Sequence, residues 1–97
     1  MVTYVTLCNF TDQGMRAVKE TVNRAAAFGK AASDAGHTVK DIYWLHGQYD
    51  ILAITESPDE IAATALSLTL AKQGNIRLQT LRALTAAEME KVLEKVA

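Results

Sequence analysis

Apolar and β-branched residues occur in four short runs along the chain, separated by polar or glycine-containing sequence. The runs are Val2 to Cys8, Val39 to His46, Tyr49 to Thr55 and about Asn75 to Leu84. Runs of this length that are rich in Val, Ile, Thr and aromatic residues are typical of β-strands. The sequence therefore predicts four strands.

Apolar residues recur at three- and four-residue spacing between the first two runs, from Met15 to Ala32. This spacing predicts one amphipathic helix of about six turns. Thr11-Asp12 can cap the N-terminus of this helix, and Gly36 is expected to end it at its C-terminus.

A second helix is predicted to open at Ser57, and its sequence from Ile61 to Leu70 is apolar or small almost all round. Ser57 at the N-cap, Pro58 at the first helical position and Glu60 at the third predict a capping box. A helix that is apolar all round is buried on more than one side.

The chain predicts a third, shorter helix after the last strand. Thr85 and Glu88 have the spacing of a second capping box. The residues that follow at helical spacing form one apolar stripe: Met89, Val92, Leu93 and Val96. The whole order is β-α-β-β-α-β plus a terminal helix. This order is typical of a ferredoxin-like α+β fold, with a four-stranded antiparallel sheet and both long helices on one face.

The two middle strands are expected to form a hairpin with a two-residue type II′ turn, in which Gly47 supplies the positive φ. This turn places Trp44 opposite Ile51, and His46 opposite Tyr49. Neither face of the hairpin is polar, whereas helices cover only one face of the sheet. We therefore expect a homodimer or higher homo-oligomer, in which two open sheet faces pack together and Trp44 and Ile51 meet the partner sheet.

Composition narrows the possible classes of protein. A chain of 97 residues with 49% hydrophobic and 22% charged residues is expected to be one globular domain, residues 1–97. The net charge is −1 and the basic residues are dispersed, which argues against nucleic acid as a partner. No apolar run is long enough for a membrane span, no targeting segment is recognisable, and the single cysteine, Cys8, excludes an internal disulfide. A cytoplasmic location is the expectation.

Three motifs together resemble the GYD-domain family of small bacterial and archaeal proteins. They are Gly47-Gln48-Tyr49-Asp50, Glu56-Ser57-Pro58-Asp59 and Gly74-Asn75-Ile76-Arg77. The resemblance implies a dimeric α+β barrel but transfers no catalytic residue, since the function of that family is uncharacterised. The wider superfamily includes cofactor-free quinone monooxygenases, haem-degrading monooxygenases, chlorite dismutases and amino-acid sensors. Their ligands commonly lie between the sheet and its helices.

The candidate catalytic residues are few. An imidazole can move a proton in acid-base catalysis, and His46 is predicted to lie beside Trp44, with Asn9, Tyr43 and Trp44 as further candidates. The alternative for His46 is a partly exposed hairpin histidine that packs on Tyr49. Cys8 is expected to be a small core residue, and His37 a loop residue. No ligand spacing for a metal is present, and no cofactor is expected. Haem bound through His46 or His37 stays open as an alternative that no motif supports.

Three charged residues are candidates for ligand binding. Asp50 follows the hairpin turn, where it would accept hydrogen bonds from a ligand, from an arginine or from backbone N–H groups that fix the hairpin end. Arg77 and Arg82 lie in the fourth strand, where one of them would bind a carboxylate or phenolate in a pocket to which Thr6 and Asn9 also contribute. The alternative is that these arginines protect an edge strand from pairing.

Three functions remain open from the sequence. The first is a non-enzymatic homo-oligomeric domain that binds a small, mainly apolar ligand. The second is a cofactor-independent monooxygenase or related small oxidoreductase. The third is a ligand-sensing regulatory module. The sequence does not decide whether the protein is an enzyme, because one fold hosts many functions.

Overall fold

The computed structural model describes residues 1–97 and contains one four-stranded sheet. Its strands are β1 (Val2–Phe10), β2 (Thr38–Trp44), β3 (Ile51–Ser57) and β4 (Ile76–Ala83). The spatial order is β2-β3-β1-β4, and every neighbouring pair is antiparallel. The predicted ferredoxin-like fold is confirmed.

The first helical region is broken into three pieces, so the predicted single helix of six turns is wrong. A short helix α1 (Asp12–Arg16) is followed by a 3-10 turn (Val18–Glu20) and then by α2 (Thr21–Asp34). The hydroxyl of Thr11 caps α1 by accepting from the Gly14 amide, as expected, and also donates to the Gly74 carbonyl oxygen at 2.6 Å. Helix α1 is thereby held against the loop that precedes β4, whereas α2 packs on β2. The two parts of the predicted helix are therefore attached to different parts of the fold.

The second long helix, α3 (Glu60–Ala71), begins later than the sequence predicted. Its N-cap is Asp59, whose carboxylate accepts from the Ala62 amide at 2.8 Å. The predicted capping box at Ser57 is therefore wrong. Ser57 is the last residue of β3 and is 1% exposed. Its period-two position in the strand directs the side chain into the core, where it cannot cap a helix.

The terminal helix, α4 (Ala86–Glu94), has the predicted capping box. The Thr85 hydroxyl accepts from the Glu88 amide, and the Glu88 carboxylate accepts from the Thr85 amide. Helix α4 packs closely on none of the strands or other helices of its own chain. The predicted apolar stripe, whose last residue lies just past the end of α4, is therefore 40–64% exposed: Met89, Val92, Leu93 and Val96.

The hairpin between β2 and β3 has a longer loop than predicted. Strand pairing ends at Trp44 and Ile51, and the Leu45 amide donates to the Asp50 carbonyl oxygen at 2.8 Å. The two-residue turn is therefore wrong, although Gly47 has the predicted positive φ, at +114°. The amide of Asp50 instead donates to the carbonyl oxygen of Cys8 at 2.8 Å. Asp50 is therefore bonded on both sides, to Leu45 through its carbonyl oxygen and to Cys8 of β1 through its amide.

The register assigns the alternate residues of each strand to opposite faces. In β1, Tyr4, Thr6 and Cys8 face the helices, and the residues between them face away. Trp44 and Ile51 also face the helices, and the indole N–H of Trp44 donates to the Thr21 hydroxyl at 3.0 Å. The expectation that Trp44 and Ile51 lie on the open face is therefore wrong. The open face instead carries an apolar set centred on the two middle strands: Val5, Leu7, Tyr43, Leu52, Ile54 and Leu81.

Candidate ligand-binding cleft

A cleft separates the two long helices above the helix-facing side of the sheet. Helix α2 packs mainly on β2 at one edge, and α3 packs mainly on β4 at the other edge. The two central strands, β1 and β3, therefore form a floor between the helices. The cavity above this floor measures about 100 Å³.

Small side chains create this space. Ala53 on the β3 floor and Ala63 on the facing side of α3 are 7% and 6% exposed, and larger side chains at either position would fill the gap between helix and sheet. The walls are mainly apolar and come from both helices and from the strand ends. These apolar wall residues are Phe10, Phe28, Ile42, Ile51, Leu66, Leu70, Ile76 and Leu78.

Three hydroxyl groups lie on the otherwise apolar floor. Tyr4 stands opposite Thr55 in the register, and Thr6 lies two residues further along β1. All three residues are between 6% and 9% exposed. Their hydroxyls make no hydrogen bond to another protein group. Every fully buried side-chain oxygen of the protein has a hydrogen-bond partner, so these three oxygens are not fully buried. The three hydroxyls are therefore reachable from the cleft and free to bond a ligand there.

The Tyr4 end of the cleft is bordered by two polar contacts. Ser67 on α3 and Thr80 on β4 hold their hydroxyl oxygens 3.1 Å apart. The guanidinium of Arg82 lies 6.0 Å from the ring centre of Tyr4 and pairs with the Glu88 carboxylate at 3.0 Å. This ion pair connects the end of the cleft to α4.

The lining of the cleft contains one permanently charged side chain, Arg24 on α2. Cys8 is the other reactive group on the floor, and burial raises the pKa of its thiol to about 11. A thiol with such a pKa is protonated at neutral pH and is a poor nucleophile. No three His, Cys, Asp or Glu side chains are grouped so that they could hold a metal ion.

The family model for the GYD domain matches residues 4–93 of this chain. The chain belongs to the GYD domain family. A comparison with curated proteins finds no relative of significant sequence similarity.

Two solved structures resemble this GYD domain over most of its length. One is the crystal structure of FFRP-DM1, with a TM-score of 0.61 and 22% identity over 87% of this chain and 100% of that one. The other is the crystal structure of TTHA0845 from Thermus thermophilus, with a TM-score of 0.58 and 23% identity over 89% of this chain and 96% of that one. Both likenesses agree with the ferredoxin-like fold.

The structure does not bring the candidate catalytic residues of this GYD domain together within one chain. His46 is exposed in the hairpin loop, and the side chains of Asn9 and Tyr43 belong to the open face of the sheet. Trp44 is on the opposite face, beside Thr21. A shared proton-transfer site for these four residues stays a prediction from the sequence.

The candidate ligand-binding residues also lie apart. The carboxylate of Asp50 accepts from the Phe10 amide at 2.9 Å, as expected of a residue that fixes the hairpin end. Arg77 pairs in register with Asn9 on the open face and is exposed. Arg82 is on the helix side, at the Tyr4 end of the cleft, where it is engaged by Glu88. Of the two further residues expected in the pocket, Thr6 lines the cleft and Asn9 does not.

Sequence reasoning missed one buried polar pair and the arginine of the cleft. His37 lies in the loop between α2 and β2, as expected, but it is 6% exposed, and its Nδ1 lies 2.8 Å from the Ser57 hydroxyl oxygen. The period-two pattern of β3, in which Ala53 and Thr55 precede Ser57 on the same face, carried a signal for the burial of Ser57. Helical spacing predicts that Arg24 lines the cleft only if it is already known which face of α2 points inward.

The GYD domain has no helix that is long and apolar enough to span a membrane.

Proposed function

We propose that this GYD domain is a homo-oligomeric binding module that holds a small, mainly apolar ligand in the cleft between the sheet and its two long helices. The observation that carries this proposal is the floor of the cleft. It combines small side chains, which leave space, with three hydroxyls that have no protein partner. A concave, mainly apolar site with a few converging polar groups is the usual form of a small-molecule site.

The distribution of hydrophobic residues supports a cleft rather than a closed core. The buried hydrophobic residues are small apart from Tyr4: Cys8, Ala32, Ala53 and Ala63. A helix packed on a sheet normally fills the interface with large aliphatic side chains at the density of an organic crystal. Here the large side chains form walls around the cavity, so an apolar ligand would complete the packing.

A neutral fluorescent probe tests the cleft. N-phenyl-1-naphthylamine should bind the wild-type protein with increased fluorescence, because the probe is apolar and uncharged. Ala25→Phe should weaken this binding at least tenfold, since Ala25 lines the cleft and a phenyl group would occupy it. Ala26→Phe is the matched control, because Ala26 is exposed on the same helix and does not line the cleft. Equal binding by the two variants would contradict the proposal.

Self-association is supported by the open face of the sheet. Leu52 pairs in register with Leu7 and Tyr43, and the three side chains form one apolar row across β1, β3 and β2. No helix of the chain covers this row. A contiguous apolar patch of this kind marks an interface, and a second copy of the chain offers the same surface in a two-fold arrangement.

Helix α4 supports self-association independently. Isolated helices shorter than about 12 residues are marginal in water, and they normally gain stability by packing an apolar face. Helix α4 has nine residues, and its apolar stripe is unpacked in its own chain. A partner subunit that covers this stripe would supply the missing contacts.

Sedimentation velocity at micromolar concentration tests the assembly. The wild-type protein should sediment as a dimer or larger oligomer, and Leu52→Lys should shift it to monomer because a charge would be buried between two sheets. Val22→Lys is the control, since Val22 is 63% exposed on α2 and away from the open face. A monomeric wild-type protein would contradict this part of the proposal.

A further inference from the structure

We propose that the cleft selects ligands that carry a carboxylate on an apolar body, and that Arg24 binds that carboxylate. This inference rests on the ligand-binding cleft proposed above and specifies the chemical class of its ligand.

The first observation is that Arg24 has no partner in the protein. Its side chain lines the cleft and is partly buried, and it makes no ion pair and no hydrogen bond with another group. An arginine at a partly buried position normally gains an acceptor, because taking a charge out of water is unfavourable unless the charge is paired. An arginine without an acceptor at the wall of a cavity is therefore suited to bind an anionic group of a ligand.

The second observation is the charge of the whole lining. No Asp, Glu or Lys side chain lines the cleft, so Arg24 alone sets its charge at neutral pH. The nearest carboxylate on the same helix end is that of Glu20, the N-cap residue of α2, which accepts from the Asn23 side-chain amide at 3.0 Å and does not line the cleft. Arg24 is therefore the charged group that favours an anion inside the cleft at this end.

The strand register gives the ligand an approximate length. The indole of Trp44 bonds Thr21 at the start of α2, and Trp44 pairs with Ile51, which in turn pairs with Cys8. Arg24 is therefore near the Cys8 end of the floor, whereas Tyr4 lies four residues before Cys8 in β1. Four residues of a strand span roughly 13 Å. A chain or ring system of about that length would place its carboxylate at Arg24 and its apolar body over the floor.

Arginine and carboxylate match in geometry as well as in charge. The planar guanidinium presents two parallel N–H groups that fit the two oxygens of a carboxylate, and such charge-assisted bonds are about twice as strong as neutral ones. A primary alcohol of the same chain length offers one neutral oxygen. The cleft should therefore distinguish an acid from the matching alcohol through this one contact.

Displacement of N-phenyl-1-naphthylamine by octanoate, 1-octanol and octylamine at pH 7.5 tests the inference. Octanoate should displace the probe from the wild-type protein at a concentration at least tenfold lower than 1-octanol, and octylamine should be the weakest competitor. Arg24→Met should remove the advantage of octanoate and leave displacement by 1-octanol unchanged, which also shows that the variant is folded. Arg24→Lys should retain part of the advantage, since it keeps the charge but loses the paired geometry.

Arg77→Met is the matched control, because Arg77 is an exposed arginine on the opposite face of the sheet. It should leave the ratio of octanoate to 1-octanol unchanged, and a loss of that ratio in Arg77→Met alone would overturn the assignment to Arg24. Equal displacement by octanoate and 1-octanol in the wild-type protein would overturn the selectivity while leaving the apolar cleft in place. Failure of the wild-type protein to bind the probe would overturn the proposal that the cleft binds apolar ligands.

Discussion

The imidazole Nδ1 of His37 lies 2.8 Å from the hydroxyl oxygen of Ser57, and both residues are at least 94% buried. This contact joins the residue before β2 to the last residue of β3, at the end of the sheet beneath the C-terminus of α2. The amide of His37 also donates to the Ala32 carbonyl oxygen at 2.9 Å. The pair therefore connects one edge of the sheet to the helix above it.

Ser57→Ala should lower the free energy of unfolding by about 1–3 kcal/mol, because it leaves a buried imidazole nitrogen without its partner. Urea denaturation followed by circular dichroism measures this change. Ser33→Ala makes the same chemical change at an exposed position in α2 and should alter stability by no more than about 0.5 kcal/mol. Equal stability of the two variants would show that the His37–Ser57 bond contributes nothing.

Features that depend on neighbouring residues could be predicted from the sequence, and those that depend on distant contacts could not. The capping box of Thr85 and Glu88 is set by residues three apart, and the structure confirms it. Ser57 and Glu60 have the same spacing, but the pairing of β3 with β1 buries Ser57 in the sheet. Tertiary packing prevails over a local signal there.

Most of the lining of the cleft was beyond sequence reasoning for a related reason. The sequence predicts which faces of the helices are apolar, but it does not reveal that α2 and α3 lie over opposite edges of the sheet. Because the two helices are separated, the side chains of Thr6, Thr55 and Arg24 line an open cleft between them. Arg77 and Arg82 were the arginines expected in a pocket, because strand four is visibly polar in sequence, whereas Arg24 is one of several polar residues on an amphipathic helix.

Gly47 and Gly29 should respond in opposite directions to the same substitution. Gly47 has a φ of +114°, so Gly47→Ala should destabilise the protein by about 1 kcal/mol or more, since a residue with a Cβ disfavours this conformation. No atom lies within 4 Å of the position that a Cβ would occupy at Gly29 inside α2, so Gly29→Ala should stabilise by about 0.5–1 kcal/mol. Thermal melts compare the two. Destabilisation of similar size in both variants would contradict the backbone argument.

Glu88 should make the attachment of α4 dependent on pH. The Thr85 backbone amide, followed by the Arg82 guanidinium, lowers the pKa of Glu88 from 4.5 to about 2. Because the folded-state pKa lies below the unfolded value, this carboxylate stabilises the fold above pH 4.5, and the contribution is lost as the pH falls toward 2. The amide resonance of Thr85 should follow that titration in a nuclear magnetic resonance experiment.

Two variants isolate the role of Glu88. Glu88→Gln should abolish the titration of the Thr85 amide resonance between pH 5 and 2, whereas Glu90→Gln, on the same helix, should leave it in place. A Thr85 resonance that titrates unchanged in Glu88→Gln would assign the effect to another group.

Cys8 should report the integrity of the floor of the cleft through its reactivity. The thiol is 3% exposed, and burial raises its pKa from 9.0 to about 11. At pH 8 such a pKa leaves roughly a hundredfold less thiolate than a pKa of 9 does, and the thiolate is the reactive form. Alkylation by iodoacetamide at pH 8 should therefore be at least a hundredfold slower in the native protein than in urea. Equal rates in the two conditions would place Cys8 outside the core.

The same pKa predicts a loss of stability in alkaline solution. Since the folded-state pKa exceeds the unfolded value, the unfolded chain releases the Cys8 proton first, and the free energy of unfolding falls as the pH rises from 9 to 11. The contribution of this one group has a limiting slope of about 1.4 kcal/mol per pH unit. Tyrosine and lysine side chains also titrate in this range, so Cys8→Ala is the necessary reference. Urea denaturation at pH 8, 9 and 10 should show a steeper decline for the wild-type protein than for Cys8→Ala, and parallel declines would contradict the raised pKa.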